Sequence, residues 1–327
     1  MRFVAACLAA ALAILAGCSS GSSPTEDETP GPDIGATQFL GAKLHVNPDN
    51  PARMQANAWR ATRPADAALI DRIGNTPVAE WIAEWNSDLR GDVDGFVTDA
   101  RAAGAMPVLV PYMIPHRDCG SYAAGGSSSA AAYRQWMATF ASALRGRRTV
   151  VILEPDALSE TGCLSAAQLT ERLTLLREAV HTLKSANAIV YIDAGNATWA
   201  TPAQVAKLLE DAGIAEADGF SLNVSNFLST SMNVSYGSAV SALVGGKHFI
   251  IDTSRNGMGA TEDQVWCNPP NQALGAAPST NTGLPLVDAL LWVKFPGESD
   301  GTCNGGPAAG EWWPEYALDL ARRQPKP

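Results

Sequence analysis

The chain has 327 residues, 46% of them hydrophobic, and a net charge of −10. That balance argues against nucleic acid or an anionic lipid surface as an electrostatic partner. With 4 His in all, no two spaced as metal ligands on one helix, and no Gly-rich phosphate loop, neither a metal nor a cofactor is expected. The length suits one large α/β domain, because single barrels often exceed 200 residues.

Residues 1–18 read as an export signal. Arg2 precedes an apolar run, Phe3 to Leu15, that is too short to span a bilayer. The run ends Leu15-Ala16-Gly17-Cys18, similar to a bacterial lipobox, so lipidation at Cys18 is expected. Residues 19–35 are small, polar and acidic, the composition of a flexible tether. The folded domain is then expected over 36–327, exported to a bacterial cell surface or secreted, as a monomer. Beyond Cys7 and Cys18 the chain holds Cys119, Cys163, Cys267 and Cys303, an even number that suits two disulfides in an exported protein. Spacing alone leaves three pairings open.

From about Leu40, short apolar runs alternate with amphipathic stretches. Strands are expected at Lys43–Val46, Val78–Ile82, Met106–Met113, Thr149–Leu153, Ala188–Asp193, Gly219–Val224, His248–Asp252 and Ala289–Phe295. Helices are expected at Asp88–Ala103, Ala130–Leu144, Ser165–Ser185, Pro202–Ala212 and Ser238–Val244. Ser165 with Gln168 reads as a capping box, and Pro202 fits a first helical turn. Such repetition predicts parallel strands ringed by helices, closed or nearly closed as a barrel. Residues Cys267–Pro285 read as one long loop.

Function is sought where each strand gives way to loop, since α/β sites are built at that end. Val150–Asp156 is the clearest case, an apolar run ending Glu154-Pro155-Asp156. The other ends carry Asp118, Asp193, Asn223, Asp252 and Asp300, so five of the six place an aspartate there. On one rim these carboxylates converge and raise one another's pKa. Stability alone would not gather like charges. Converging acids without metal-binding His suit acid/base chemistry or a hard cation. Glycoside hydrolysis needs such a pair, one carboxyl to protonate the leaving oxygen and one to activate water. Trp199 and Trp266 stand near these ends and suit sugar stacking.

Several stretches resemble glycoside hydrolase family 6, cellulases that hydrolyse β-1,4-glucan with inversion. They are Tyr112–Gly120, Leu153–Asp156, Tyr191–Gly195, Asp252–Gly257, Glu262–Pro269 and Trp292–Gly301, in the family's order. The resemblance covers roughly Leu40 to Leu320 and implies a distorted parallel β/α barrel with its site in a rim groove. It makes Asp156 the general acid. Asp118 would raise the pKa of that acid and help activate water. Asp300 takes the place of the proposed base, and Asp193 holds charge near the reacting sugar. Tyr112 would lie under the ring at the cleavage point. Lys294, Glu298, Asn223 and Arg255 would bind substrate, and Trp59, Trp199 and Trp266 would stack on it. The implied disulfides are Cys119–Cys163 and Cys267–Cys303.

Plainer readings stand beside these. Lys294–Glu298 also reads as a structural ion pair, Trp59 as packing, and Asp252 with Arg255 as a pair holding the loop. The sequence departs from the resemblance at Asn196, where relatives carry His, and at Ala124, where endo-acting relatives carry Ser in the loop Ser121–Ser128. The loops Gly120–Ser129 and Asn304–Gly310 are too short to roof the groove. An unroofed groove implies endo-acting hydrolysis. The alternatives are an exo-acting cellobiohydrolase and a surface lipoprotein that binds glucan without cutting it.

Overall fold

A computed structural model describes residues 39–323. The expected signal segment 1–18, with Cys18, and the tether 19–35 lie outside them.

Seven parallel strands follow one another in chain order across a single curled sheet. They are β1 Glu80–Ile82, β2 Val108–Pro111, β3 Thr149–Leu153, β4 Ala188–Asp193, β5 Gly219–Leu222, β6 His248–Asp252 and β7 Val287–Leu291. Strands β2 to β5 are buried on both faces, and most read as nearly unbroken apolar runs, whereas β1 buries only Ile82. Alternate residues part to opposite sides. Val108, Val110, Val150, Ile152, Ile189 and Tyr191 fill the inside of the curl. Leu109, Val151, Leu153, Val190 and Ile192 pack outward against the helices. Each such side chain contributes about 1.5–3 kcal/mol when fully buried.

Among the described residues β1 and β7 share no ladder. Two bonds span the seam between them. The Ala79 N–H donates to the Trp292 carbonyl at 2.9 Å, and the Trp81 indole N–H donates to the Val293 carbonyl at 2.9 Å.

The helices are α1 Pro51–Trp59, α2 Pro64–Gly74, α3 Leu89–Ala102, α4 Ala130–Ala143, α5 Ala166–Ser185, α6 Pro202–Asp211, α7 Thr230–Leu243 and α8 Pro314–Arg322. Ser165 and Thr201 each cap their helix with a reciprocal Gln three residues on. Helices α1 and α2 were not expected. They pack with α8 into a separate apolar cluster through Ala52, Ala56, Ile70 and Leu318. The small buried alanines of α1 give little periodic signal, while α2 buries Ala67, Ile70 and Ile73 at helical spacing. Helix α7 begins eight residues earlier than expected, at Thr230 rather than Ser238. Its first turns are polar, and buried Asn233 bonds the carbonyls of Leu228 and Ser229. The strand expected at Lys43–Val46 is reduced to one bridge, Leu44 to Met106.

The disulfides are Cys119–Cys163 and Cys267–Cys303, with Cα separations of 5.6 and 6.2 Å. The first ties the loop after β2 to the loop after β3, and the second ties the loops after β6 and β7.

Candidate active site

A cleft of about 750 Å³ runs along the carboxyl ends of the strands. Its walls come from the loop after β1 (Glu84, Trp85), the loop after β2 (Asp118 to Ala124), Asp156 after β3 and Trp199 after β4. Lys294, Glu298 and Asp300, all following β7, close it across the seam.

Pro155 stops β3, and the residues on either side of it take left-handed backbone, Glu154 at φ +49° and Asp156 at φ +68°. Such conformations cost energy for non-glycine residues and gather at functional sites. Here the turn sends the two carboxylates in opposite directions. Glu154 is fully buried and accepts the N–H groups of Met113, at 2.8 Å, and Ile114, at 2.9 Å. It thereby fixes the chain just after Tyr112. Burial pushes its carboxyl up to about 7, against the pull of those N–H donors.

Asp156 faces the cleft. Desolvation, then the neighbouring charges of Asp193 and Asp118, hold its carboxyl well above the usual range. Asp193 lies beneath it, 1% exposed and outside the cleft wall. One oxygen accepts the Asp156 backbone N–H at 3.2 Å and the Gly195 N–H at 3.1 Å, and the other accepts the Ser221 hydroxyl at 3.0 Å. Burial raises it to about 6. Asp193 thus reaches the acid's backbone. Asp193 has these partners despite the departure at Asn196, whose side-chain oxygen accepts the Thr198 N–H and hydroxyl.

Asp118 also stands on left-handed backbone, φ +56°, and accepts the Ala123 N–H at 2.7 Å. Burial raises its pKa. Arg117 beside it is buried and fastens the loop. Its guanidinium donates to the carbonyls of Tyr112 and Ala123 and forks onto Glu84 at 2.8 and 2.7 Å. It also lies 4.4 Å over the Tyr112 ring. Tyr112 lines the cleft and meets Trp81 edge-on at 5.1 Å.

Asp300 is held from below by Arg255, whose side chain is 0% exposed. Two parallel bonds of 2.9 Å join them. The Asn268 N–H adds a third at 2.9 Å. Arg255 therefore positions Asp300 from outside the cleft wall. Of the two readings for Arg255, holding the loop is the one the geometry fits, yet its partner is Asp300 rather than Asp252. Asp252 instead gathers four backbone N–H groups, those of Ser225, Ser254, Val293 and Lys294. Asn223, expected to touch substrate, is fully buried, with its amide on the Asp252 carbonyl and its oxygen on the Leu228 N–H. It serves the loop after β5.

Trp199 and Trp266 line the cleft and are 39% and 46% exposed. The Trp199 indole lies over Gly195, where a Cβ would come within 2.9 Å of the ring. Lys294 and Glu298 line the cleft and also face each other at 3.5 Å. Trp59 is not among the cleft residues. It ends α1 with the Arg63 guanidinium 3.8 Å above its ring. The wall residues not singled out from sequence include Trp81, Trp85, Tyr122 and Glu160. Trp81 and Trp85 close and follow an expected strand, a signal that was available. Ala124 is in the wall where a serine was expected.

The bordering loops are short, as expected, but the groove is not wholly unroofed. The Tyr122 ring lies 6.0 Å from that of Trp266 and packs so tightly on Gly301 that a Cβ there would approach it to 2.4 Å. One side chain thus links the loop after β2 to the loop after β7. Among the described residues no group of acids, His or Cys is placed to hold a metal ion.

A groove lined with indoles around a carboxyl of raised pKa is equipment for cutting polysaccharide chains. The comparisons agree. The family model for glycosyl hydrolases family 6 matches residues 39–324, and the chain belongs to that family. Endoglucanase A of Cellulomonas fimi is 45% identical over 276 residues, 84% of this chain and 60% of that protein. Endoglucanase 1 of Streptomyces halstedii is 40% identical over 290 residues, 85% of this chain and 88% of that one. The endoglucanase Cel6 of Mycobacterium tuberculosis, solved with methyl-cellobiosyl-4-deoxy-4-thio-β-D-cellobioside, superposes with a TM-score of 0.83 at 44% identity. That match covers 86% of this chain and 97% of that one. The family and the barrel expected from sequence are both borne out.

Proposed function

We propose that this chain is an endo-acting glycoside hydrolase that cleaves β-1,4-glucan with inversion. The observation that carries the reading is Asp156 on the wall of an indole-lined groove, a carboxyl whose pKa is raised by burial and by its acidic neighbours. It protonates the leaving oxygen. Water enters from the opposite face, activated by the carboxylates of Asp118 and Asp300, which reach the cleft from other strand ends. Tyr112 supports the ring at the cleavage point, while Lys294 and Glu298 bind hydroxyls. Trp199 and Trp266 stack on neighbouring sugars. Asp193 and Arg255 act through Asp156 and Asp300.

The endo mode is favoured by short loops that meet through one side chain, half-exposed Tyr122. A glucan chain entering by its middle has only that ring to displace. Proton NMR of the first products tests the mechanism. The α-anomer is expected, and initial β-anomer would refute inversion, which needs roughly 6.5–9.5 Å between the carboxyl groups. Viscometry on carboxymethylcellulose tests the mode. Viscosity is expected to drop well ahead of sugar release, and cellobiose release without that drop would overturn endo action.

In the cell the protein is exported and anchored through a lipid on Cys18, the residue that ends the lipobox-like run. Mass spectrometry of the N-terminal peptide decides this, and an unmodified Cys18 or a cut elsewhere would sink it. The chain works as a monomer, for which light scattering should return the mass of one chain. A dimer mass would overturn that.

A further inference from the structure

We propose that Trp85, on the loop after β1, forms a further glucose subsite in the cleft. The inference rests on the reading of the chain as a β-1,4-glucanase. Trp85 is 56% exposed, more than Trp199 or Trp266, and it belongs to the same cleft wall. Leaving an indole this bare in water forgoes the burial that usually accounts for a Trp.

The turn that carries it is locked from both sides. The Asn86 N–H returns to the Ala83 carbonyl at 3.1 Å. The Asn86 side chain accepts the Ala83 N–H at 3.0 Å and donates to Asp92 at 3.0 Å. Glu84, next to Trp85, is gripped by both ends of the buried Arg117 fork, and the guanidinium lies 5.7 Å from the Trp85 ring. The indole is therefore a preformed platform, and little ordering is left for a ligand to impose.

Its position continues a series. Tyr112 meets Trp81 in β1, and Trp85 follows four residues further along the same segment. Trp199 lines the same cleft from the loop after β4. A β-1,4-linked glucan fits the series because its pyranose rings present flat C–H faces edged by hydroxyls. A ring stacked on Trp85 would set its hydroxyls beside the Glu84 carboxylate, which is 40% exposed. The occupant is thus the continuation of the substrate chain.

The test is chain-length dependence in the full-length protein, with kcat/KM measured for cello-oligosaccharides from three to six glucose units. For the wild type, kcat/KM rises with length. For Trp85→Ala it is expected to match wild type on the shortest oligosaccharide cleaved and to fall about five- to tenfold on the longest, the scale of losing one rigid aromatic anchor. Trp85→Phe, which keeps a ring, should recover most of the difference and stands in if the alanine variant does not fold. Equal loss at every length, or loss at none, for both variants overturns the subsite. A wild type that cleaves no oligosaccharide refutes the parent reading instead.

Discussion

Arg255→Met removes the cation under Asp300 while keeping most of the side-chain volume. The two groups are 0% and 6% exposed and share two bonds of 2.9 Å. Deleting one member of a buried pair costs about 3–5 kcal/mol, because the other charge is left desolvated and alone. The lost bond to the Ser225 carbonyl lies within that figure. Folding stabilities are typically about 5–15 kcal/mol, so the variant should fold, but marginally. At roughly 2 °C per kcal/mol for a large domain, the melting midpoint should drop by about 6–10 °C. Activity should fall too, since Asp300 loses its support. Asp300→Asn and the double variant complete a cycle. If the pair is the cause, the double variant should be no less stable than Arg255→Met, because the stranded charge is gone. A midpoint shift under about 2 °C for Arg255→Met, or simple additivity in the double variant, would refute the reasoning.

Asp156→Ala should abolish hydrolysis of unactivated glucan yet spare aryl glycosides with acidic leaving groups, which need little protonation. Equal loss on both substrate types would remove Asp156 from the acid role. Glu154 makes the folded protein hold a proton more tightly than the unfolded chain, its carboxyl rising from 4.5 to about 7 through burial. Its stabilisation is therefore complete below the unfolded value and lost as pH rises through about 7. Denaturant midpoints should fall between pH 5 and pH 8, and Glu154→Gln should flatten that fall. Asp193, raised to about 6, adds in the same direction, so a residual slope is expected. A variant with the wild-type slope would clear Glu154 of the effect.

The barrel and most of the groove were legible because strand-end motifs fix which loop a residue occupies. Asp118, Asp156, Asp300, Lys294 and Glu298 all reach the cleft for that reason. A strand end does not fix which way its side chain turns. Asp193, Asn223 and Arg255 sit at such ends and point into the rim, where the backbone bonds of tight turns need partners. Helix α1 gave little signal because only Ala52 and Ala56 bury its face, whereas Ala67, Ile70 and Ile73 of α2 recur at helical spacing, a signal that was available. The contact of Tyr122 with Gly301 could not be read either, since it joins loops far apart in sequence and depends on the absence of a Cβ.

The two disulfides have a bearing on how such a groove can be remodelled. Asp118 neighbours Cys119, and Asp300 lies three residues before Cys303, so each bridge pins a loop at its root, beside an acid. The tips beyond, 121–128 and 304–310, carry no disulfide and are held by hydrogen bonds, such as those of Ala123 to Arg117 and Asp118 and of Pro307 to Ser299. Doubling the length of a flexible loop costs only about 0.6 kcal/mol of closure entropy. Inserted residues that spare the Ala123 N–H on Asp118 would deepen the groove toward a tunnel without removing the acids' own partners. Depth of enclosure is in this sense an adjustable dimension, decoupled from the chemistry that the cysteines anchor.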